Sequence, residues 1–434
     1  MSGRQLQVAV IGAGASGLCA ARHLLAKPHI FAPPVVYEQS TGVGGTWVYT
    51  ERTGKDDHGL PIQSSMYRDL RTNLPKEIMG FPDFPFEASP TSFIHHTDVK
   101  SYLEKYTEHF EIQRHIKFLT YVELLKPVSR PTEDAHSSWE ITSLNLKSQS
   151  RSLERYDSVI VCNGHYSDPL IPHIPGIENF KGQSMHSHEY RFAEPFRGKN
   201  LILLGAGSSG IDIALELCLV ANQVVLVYKD SFTSSLLPSN CLLVKGVNKC
   251  SQTGVIGNDG IEYPADVLMF CTGYNYTFPF LAKDVGLNVK DHRITPLYKH
   301  IVHTTFPTLF FIGICKTVCP FPLFHNQVLF ALASLDGTYR LPSKSKMDAT
   351  TEHEYQSSLQ NGIPHRHFHK LDSLQWEYNN ELRSLAKRDP LPPVFKDLYE
   401  ANKEIRKQDL CNYKRFNYKI VSHDTWIKVS PELL

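Results

Sequence analysis

The sequence predicts an α/β fold built from two parallel-sheet units, on three observations. A short apolar run at residues 6–11 (LQVAVI) ends abruptly in glycines. The same order recurs from Leu201: an apolar run, a glycine-rich loop, a helical pattern and a second apolar run. Two more apolar runs end alike, DSVIVC at 157–162 before Asn163-Gly164, and DVLMFC at 266–271 before Thr272-Gly273. Short continuous apolar runs bounded by glycine read as strands buried on both faces of a parallel sheet.

In the first unit, Leu18, Ala21, Leu24 and Leu25 fall at helical spacing within 16–26, and Pro28 stops the helix. Val35, Val36 and Tyr37 give the next strand, which closes at Glu38. The intervening loop, Gly12-Ala13-Gly14-Ala15-Ser16-Gly17, has the parts that a dinucleotide site needs. Gly12 allows the tight turn, Gly14 lets the backbone approach a pyrophosphate, and Gly17 lets helix and strand pack closely. The helix N-terminus faces the negative charge, and an acid roughly 20 residues on, here Glu38, accepts bonds from ribose hydroxyls. The bland alternative is a structural loop. Gly44-Gly45-Thr46-Trp47 follows, and by itself reads as a turn.

Residues 127–155 are polar and Ser-rich and are expected to form surface loops around a hairpin at 139–144. The segment 168–176 (DPLIPHIPG) holds three prolines, cannot continue a helix or a central strand, and reads as a hinge. In the second unit, Gly205-Ala206-Gly207-Ser208-Ser209-Gly210 follows LILL, with Ile211, Ala214, Leu215 and Cys218 at helical spacing. Its second strand, 224–228, ends at Lys229, about where the first unit places its acid. A lysine there suits a 2′-phosphate and so NADPH; the alternatives are a solvated lysine, or NADH held through Asp230. Residues 308–313 (TLFFIG) need a sheet to join, so the chain is expected to return to the first domain after about 290. The reading is therefore two Rossmann-like dinucleotide-binding domains, one inserted in the other: 1–167, 168–289 and 290–434, the last with C-terminal helices.

Composition excludes several classes. Lys+Arg 45 against Asp+Glu 44 leaves a formal charge of +1, which argues against a nucleic-acid binder that works through a basic surface. Nine scattered cysteines form no disulfide framework and point to a reducing compartment. Cys315 and Cys319 have no second close pair, so no metal site is read. The first apolar run leads straight into the glycine loop, unlike a secretory signal, and the most apolar window, 308–324, carries Lys316 and two prolines. A cytoplasmic protein without a membrane anchor is expected. A homo-oligomer is left open.

One further set of motifs is specific. Phe180, Gly182, His186 and Tyr190 fit the pattern FxGxxxHxxxY, although His186 alone reads as an ordinary loop histidine. With Gly44-Gly45-Thr46-Trp47, Thr72-Asn73-Leu74-Pro75-Lys76, Phe81-Pro82-Asp83-Phe84-Pro85-Phe86, Asn163-Gly164-His165-Tyr166 and Cys271-Thr272-Gly273-Tyr274, the chain resembles the flavin-containing monooxygenases, from the first loop to about residue 330. The related Baeyer–Villiger enzymes carry Trp where Tyr190 stands, which favours the flavin monooxygenase branch. The chain looks like its shorter members, such as insect senecionine (pyrrolizidine-alkaloid) N-oxygenases. It departs from the common pattern at Thr46, often Leu, and at Lys229, often Arg or Thr nearby.

The resemblance implies FAD in the first unit and NADPH in the second, an enzyme of the N,N-dimethylaniline monooxygenase type. It implies reduction of FAD by NADPH, a flavin C4a-hydroperoxide formed with dioxygen, and transfer of oxygen to a soft amine nitrogen or sulfide of a small molecule. The cofactor carries the hard chemistry, in keeping with the absence of a catalytic triad or carboxylate pair from the sequence pattern. Asn73 matches the family's flavin-side asparagine; without the resemblance it reads as a turn residue near Pro75. The cofactor-binding set comprises Gly12, Ala13, Gly14, Ala15, Ser16, Gly17, Glu38, Gly45, Thr46, Trp47, Thr72, Asn73, Val122, Gly205, Gly207, Ser208, Ser209, Gly210, Lys229, Thr272 and Gln327. The competing readings are Baeyer–Villiger ketone oxidation, an NADPH oxidase that releases peroxide, and a non-catalytic dinucleotide-binding protein.

Overall fold

The computed structural model describes residues 4–128, 138–229 and 237–429. Asp230 lies outside them. The first unit runs β1 (Val8–Ile11), α1 (Ala15–Leu25), β2 (Val35–Tyr37), α2 (His96–His109) and β3 (Ile116–Lys117). An antiparallel meander follows, β4 (Thr120–Pro127), β5 (Trp139–Asn145) and β6 (Arg151–Tyr156), then β7 (Ser158–Val161).

The second unit opens with β8 (Asp168–Pro169) and β9 (Gln183–His186). It continues through β10 (Asn200–Leu204), α3 (Ser208–Leu217), β11 (Gln223–Tyr228) and β12 (Cys241–Lys245). A small antiparallel sheet, β13 (Val247–Cys250), β14 (Gly254–Gly257) and β15 (Glu262–Pro264), precedes β16 (Val267–Phe270) and β17 (Tyr274–Asn275).

The chain then forms the hairpin β18 (Asn288–Lys290) and β19 (Arg293–Thr295), and the strands β20 (Leu297–Tyr298), β21 (Val302–His303) and β22 (Leu309–Phe311). Four helices follow, α4 (Pro320–Leu335), α5 (Lys344–Gln360), α6 (Gln375–Leu385) and α7 (Pro393–Gln408), and a last hairpin, β23 (Asn417–Ile420) and β24 (Trp426–Val429).

The main sheet has the order β20-β21-β22-β7-β1-β2-β3, so residues 297–311 return to the sheet that β1 began. β22 joins it parallel to β7, with Phe310 opposite Ile160. The second sheet has the order β12-β11-β10-β16-β9, all parallel. β8 and β17, where the chain enters and leaves this unit, pair antiparallel with Tyr274 opposite Pro169. The proline-rich hinge is thus one strand of a two-stranded connection.

Each sheet is covered on both faces, which is why its strands are apolar throughout. In β1, Val8 and Val10 pack toward α1, α2 and α4, whereas Ala9 and Ile11 pack toward the meander. In β10, Leu201 and Leu203 face α3, and Ile202 and Leu204 face the small sheet. This second layer corrects one expectation. Of residues 127–155, the described part from 138 forms the expected hairpin, with β5 spanning 139–145 and β6 beginning at 151. It is not a surface element: Trp139 is fully buried, donating its indole N–H to Thr308 Oγ1 at 3.0 Å. In α3 the fully buried positions are Gly210, Ile213, Ala214 and Leu217, with Ile211 and Cys218 partly buried against the same core. Among the described residues no helix is long and apolar enough to cross a membrane.

Candidate dinucleotide and flavin site

The two glycine loops fold identically at their turns. Gly12 (φ +104°) and Gly205 (φ +111°) hold a backbone conformation that side chains rarely adopt. A Cβ on either would lie 2.5 Å from a carbonyl oxygen, that of Cys162 or of Cys271. Gly17 and Gly210 bring their helices onto these turns: a Cβ would meet the Gly12 oxygen at 1.8 Å or the Gly205 oxygen at 1.9 Å. The thiols behind the turns are inert, both pushed up to about 12 by burial.

Gly14 and Gly207 are the N-cap residues of α1 and α3. Neither helix has a side-chain cap or an acid in its first turn, so the N-terminal amides are left for an anion. Beyond that the loops differ. Ala13, Ala15, Ser16 and Gly17 are buried, whereas Gly207, Ser208 and Ser209 are exposed. Glu38 is buried at the end of β2, its Oε2 accepting from Ala13 N and its Oε1 from Ser40 N, both at 2.8 Å. Those bonds fix the carboxylate beside the first loop and leave lone pairs for ribose hydroxyls.

Opposite the first loop stands the turn 44–47. A Cβ on Gly45 would be 3.0 Å from Gly14 Cα, so the two glycines form a narrow cradle. The hydroxyls of Thr46 and Thr72 are buried and have no hydrogen-bond partner. Buried polar atoms are normally satisfied, and such orphans fit a polar ligand. Asn73 is exposed, and its carbonyl accepts from Asn402 Nδ2 at 3.3 Å.

The sequence over 5–232 and 226–396 matches the model of the FMO-like family, "Flavin-binding monooxygenase-like". The chain belongs to this family. It is 37% identical to "Flavin-containing monooxygenase FMO GS-OX-like 4" of Arabidopsis thaliana, over 92% of this chain and 91% of that protein. It is 32% identical to senecionine N-oxygenase of Tyria jacobaeae, over 97% and 91% of the two chains. Among solved structures, S-allyl-L-cysteine S-oxygenase from Allium sativum superposes with a TM-score of 0.87 at 32% identity, covering 95% of this chain and 96% of that one. This protein is accordingly a flavin monooxygenase.

The remaining residues read from the sequence take varied places in the monooxygenase. Trp47 is half-buried, edge-on to Phe321 at 6.4 Å. Val122 is buried in β4 against the core that includes Tyr37. Gln327 has its polar groups engaged within the protein. Its Oε1 accepts from Gly313 N and its Nε2 donates to Tyr378 Oη, each at 2.9 Å, so it shapes the backbone at Gly313. Thr272 donates its hydroxyl to the Leu170 carbonyl and locks the connection between the units. Lys229 is exposed at the end of β11.

The fingerprint residues are architectural. A Cβ on Gly182 would meet the Asp266 oxygen at 2.6 Å. His186 Nδ1 accepts from His188 N at 3.0 Å, and its Nε2 lies 3.0 Å from the Gly273 oxygen. Burial brings the imidazole down to about 4, so it is neutral and donates through Nε2. Tyr190 is fully buried in the second unit's core.

Two residues escape a reading of the sequence. Asn402, on α7, holds the Asn73 backbone from far along the chain. Lys245 ends β12 opposite Tyr228, the residue before Lys229. Only a lysine closing an apolar run signals the latter, and nothing local signals the former.

Proposed function

We propose that this monooxygenase holds FAD at the first loop and NADPH at the second, and inserts one atom of dioxygen into a soft sulfur or nitrogen centre of a small molecule. The observation that carries this reading is the pairing of a buried loop with an exposed one. The first loop, Glu38, the Gly14–Gly45 cradle and the orphaned hydroxyls of Thr46 and Thr72 fit a permanently held dinucleotide. The open α3 N-terminus with Ser208 and Ser209 fits a second dinucleotide that comes and goes.

Bound FAD supplies the two-electron and oxygen chemistry. The chain supplies placement. The amides of α1 face the pyrophosphate, Glu38 takes ribose hydroxyls, and Thr46 and Thr72 donate to or accept from the remaining polar edges. Asn73, steadied by Asn402, orients the nicotinamide with an amide that both donates and accepts. Lys229 meets the 2′-phosphate. Relatives named as S-oxygenases and as an N-oxygenase support both atom types as targets. We place the enzyme in the cytoplasm, in keeping with nine cysteines of which no two are joined by a disulfide.

The test is product analysis with a tertiary amine, a thioether and a cyclic ketone, alongside anaerobic reduction by NADPH and by NADH. One oxygenated product per NADPH supports the reading. Peroxide with no oxygenated product points to an oxidase. A ketone-derived ester points to Baeyer–Villiger chemistry, and a colourless protein to a non-catalytic role.

A further inference from the structure

We propose that Cys19, His23 and His325 form a zinc site that staples α1 to α4, with Asp83 beside it. Cys19 and His23 are four apart on α1 and therefore share one face of it. His325 lies on α4, which packs against α1. All three side chains are buried, and one donor atom from each falls within 4.8 Å of the others. His23 Nε2 stands 3.2 Å from His325 Nδ1. Two nitrogens bound to one zinc ion at a tetrahedral angle are roughly 3.3 Å apart, so this pair already spans one edge of such a site.

Asp83, from the loop before α2, lies beside the two rings. Its Oδ1 is 3.4 Å from His325 Nδ1, and its Oδ2 is 3.9 Å from His23 Nε2 and paired with the Arg22 guanidinium at 2.8 Å. Both oxygens are thus engaged, one with His325 and one with Arg22, and the carboxylate adds negative charge beside the ligands. One thiolate and two imidazoles make a mixed set suited to zinc.

On binding, zinc(II) forms a bond to the Cys19 sulfur and the thiol proton leaves to solvent. The consequence is structural. α1 begins at the buried loop and α4 carries Gln327, so the ion would hold both walls of the first unit together.

The experiment uses the flavin-loaded protein, purified without metal-affinity resin, incubated with zinc chloride and exchanged into metal-free buffer. Elemental analysis should find about one zinc per chain, and background levels in Cys19→Ala/His325→Ala. Cobalt(II) in place of zinc should give a tetrahedral ligand-field band at longer wavelength than the flavin. A strong chelator should lower the Tm of the wild type and leave that of the double variant unchanged, a comparison with wild type that stands even if the variant folds poorly. Folded, flavin-loaded wild type that retains no zinc, shows no cobalt band and loses no Tm with chelator overturns the site. One equivalent of copper or iron in its place overturns the assignment to zinc.

Discussion

The α-carbon of Gly17 sits so close to the carbonyl oxygen of Gly12 that a Cβ would be placed 1.8 Å from it. That single contact joins the first turn of α1 to the turn that leaves β1. It separates the two roles of glycine in the loop, because a Cβ on Gly14 would meet only Gly45, its Cα at an ordinary 3.5 Å and its N at 3.9 Å.

Gly17→Ala should therefore damage the fold itself, costing about 3 kcal/mol or more as α1 is pushed off the turn. Gly14→Ala should leave the apoprotein's Tm within a few degrees of wild type and remove FAD from the purified protein. The two are read from flavin absorbance and thermal melts on the same samples. A Gly14→Ala protein that keeps its full flavin content shows that the loop does not hold the pyrophosphate.

Lys229→Ala should raise the KM for NADPH and leave NADH nearly unchanged. Loss of one charge-assisted phosphate contact is worth roughly 1–3 kcal/mol, or about 5- to 150-fold in kcat/KM. Steady-state kinetics with both nucleotides decide it. Equal losses with the two, or none with either, remove Lys229 from the site and leave Lys245 as the next residue to change.

Asn73→Ala should still bind FAD and consume NADPH while releasing hydrogen peroxide in place of oxygenated product. A loss of about 2–3 kcal/mol in positioning corresponds to roughly 30- to 150-fold less product per NADPH. Asn402→Ala, which removes only the support of the Asn73 carbonyl, should uncouple in the same direction by less. Normal coupling in Asn73→Ala would sink the role, and loss of FAD would show the residue to be structural.

Glu216, on α3, is pushed up to about 7 by burial, with Asp69 and Asp212 adding to the effect and Tyr190 opposing it. A carboxyl whose folded value exceeds its unfolded one binds more protons when folded, so stability falls as pH rises from about 4.5 to about 7. The folding equilibrium loses up to about tenfold per pH unit in that window. Glu216→Gln should flatten the dependence and gain most in Tm at pH 8. Parallel Tm–pH curves for the two proteins would refute this.

The two glycine loops were legible locally. A glycine loop is recognisable because its turn, its helix cap and its strand lie within one short stretch, where backbone sterics act between near neighbours. Thr272 and the fingerprint histidine were legible as motif members, yet their partners, Leu170 and Gly273, show that they bind the connection between units. The meander was read only in part, as the hairpin at 139–144, because polar residues of its middle strand, Glu140 and Ser143, are buried there beside Trp139 and Ile141, while Leu153 of the next strand is exposed.

The sequence by itself determined the two strand–loop–helix units, the acid at the end of one and the lysine at the end of the other. Each depends on spacing of a few residues and on conformations that only glycine adopts readily. Only the tertiary structure decided what is assembled from afar: Asn402 under Asn73, Gln327 on Gly313, and His325 beside Cys19 and His23. Those contacts are set by which helix packs on which. Packing is fixed by the burial of whole faces against a shared core, and no local pattern encodes the partner.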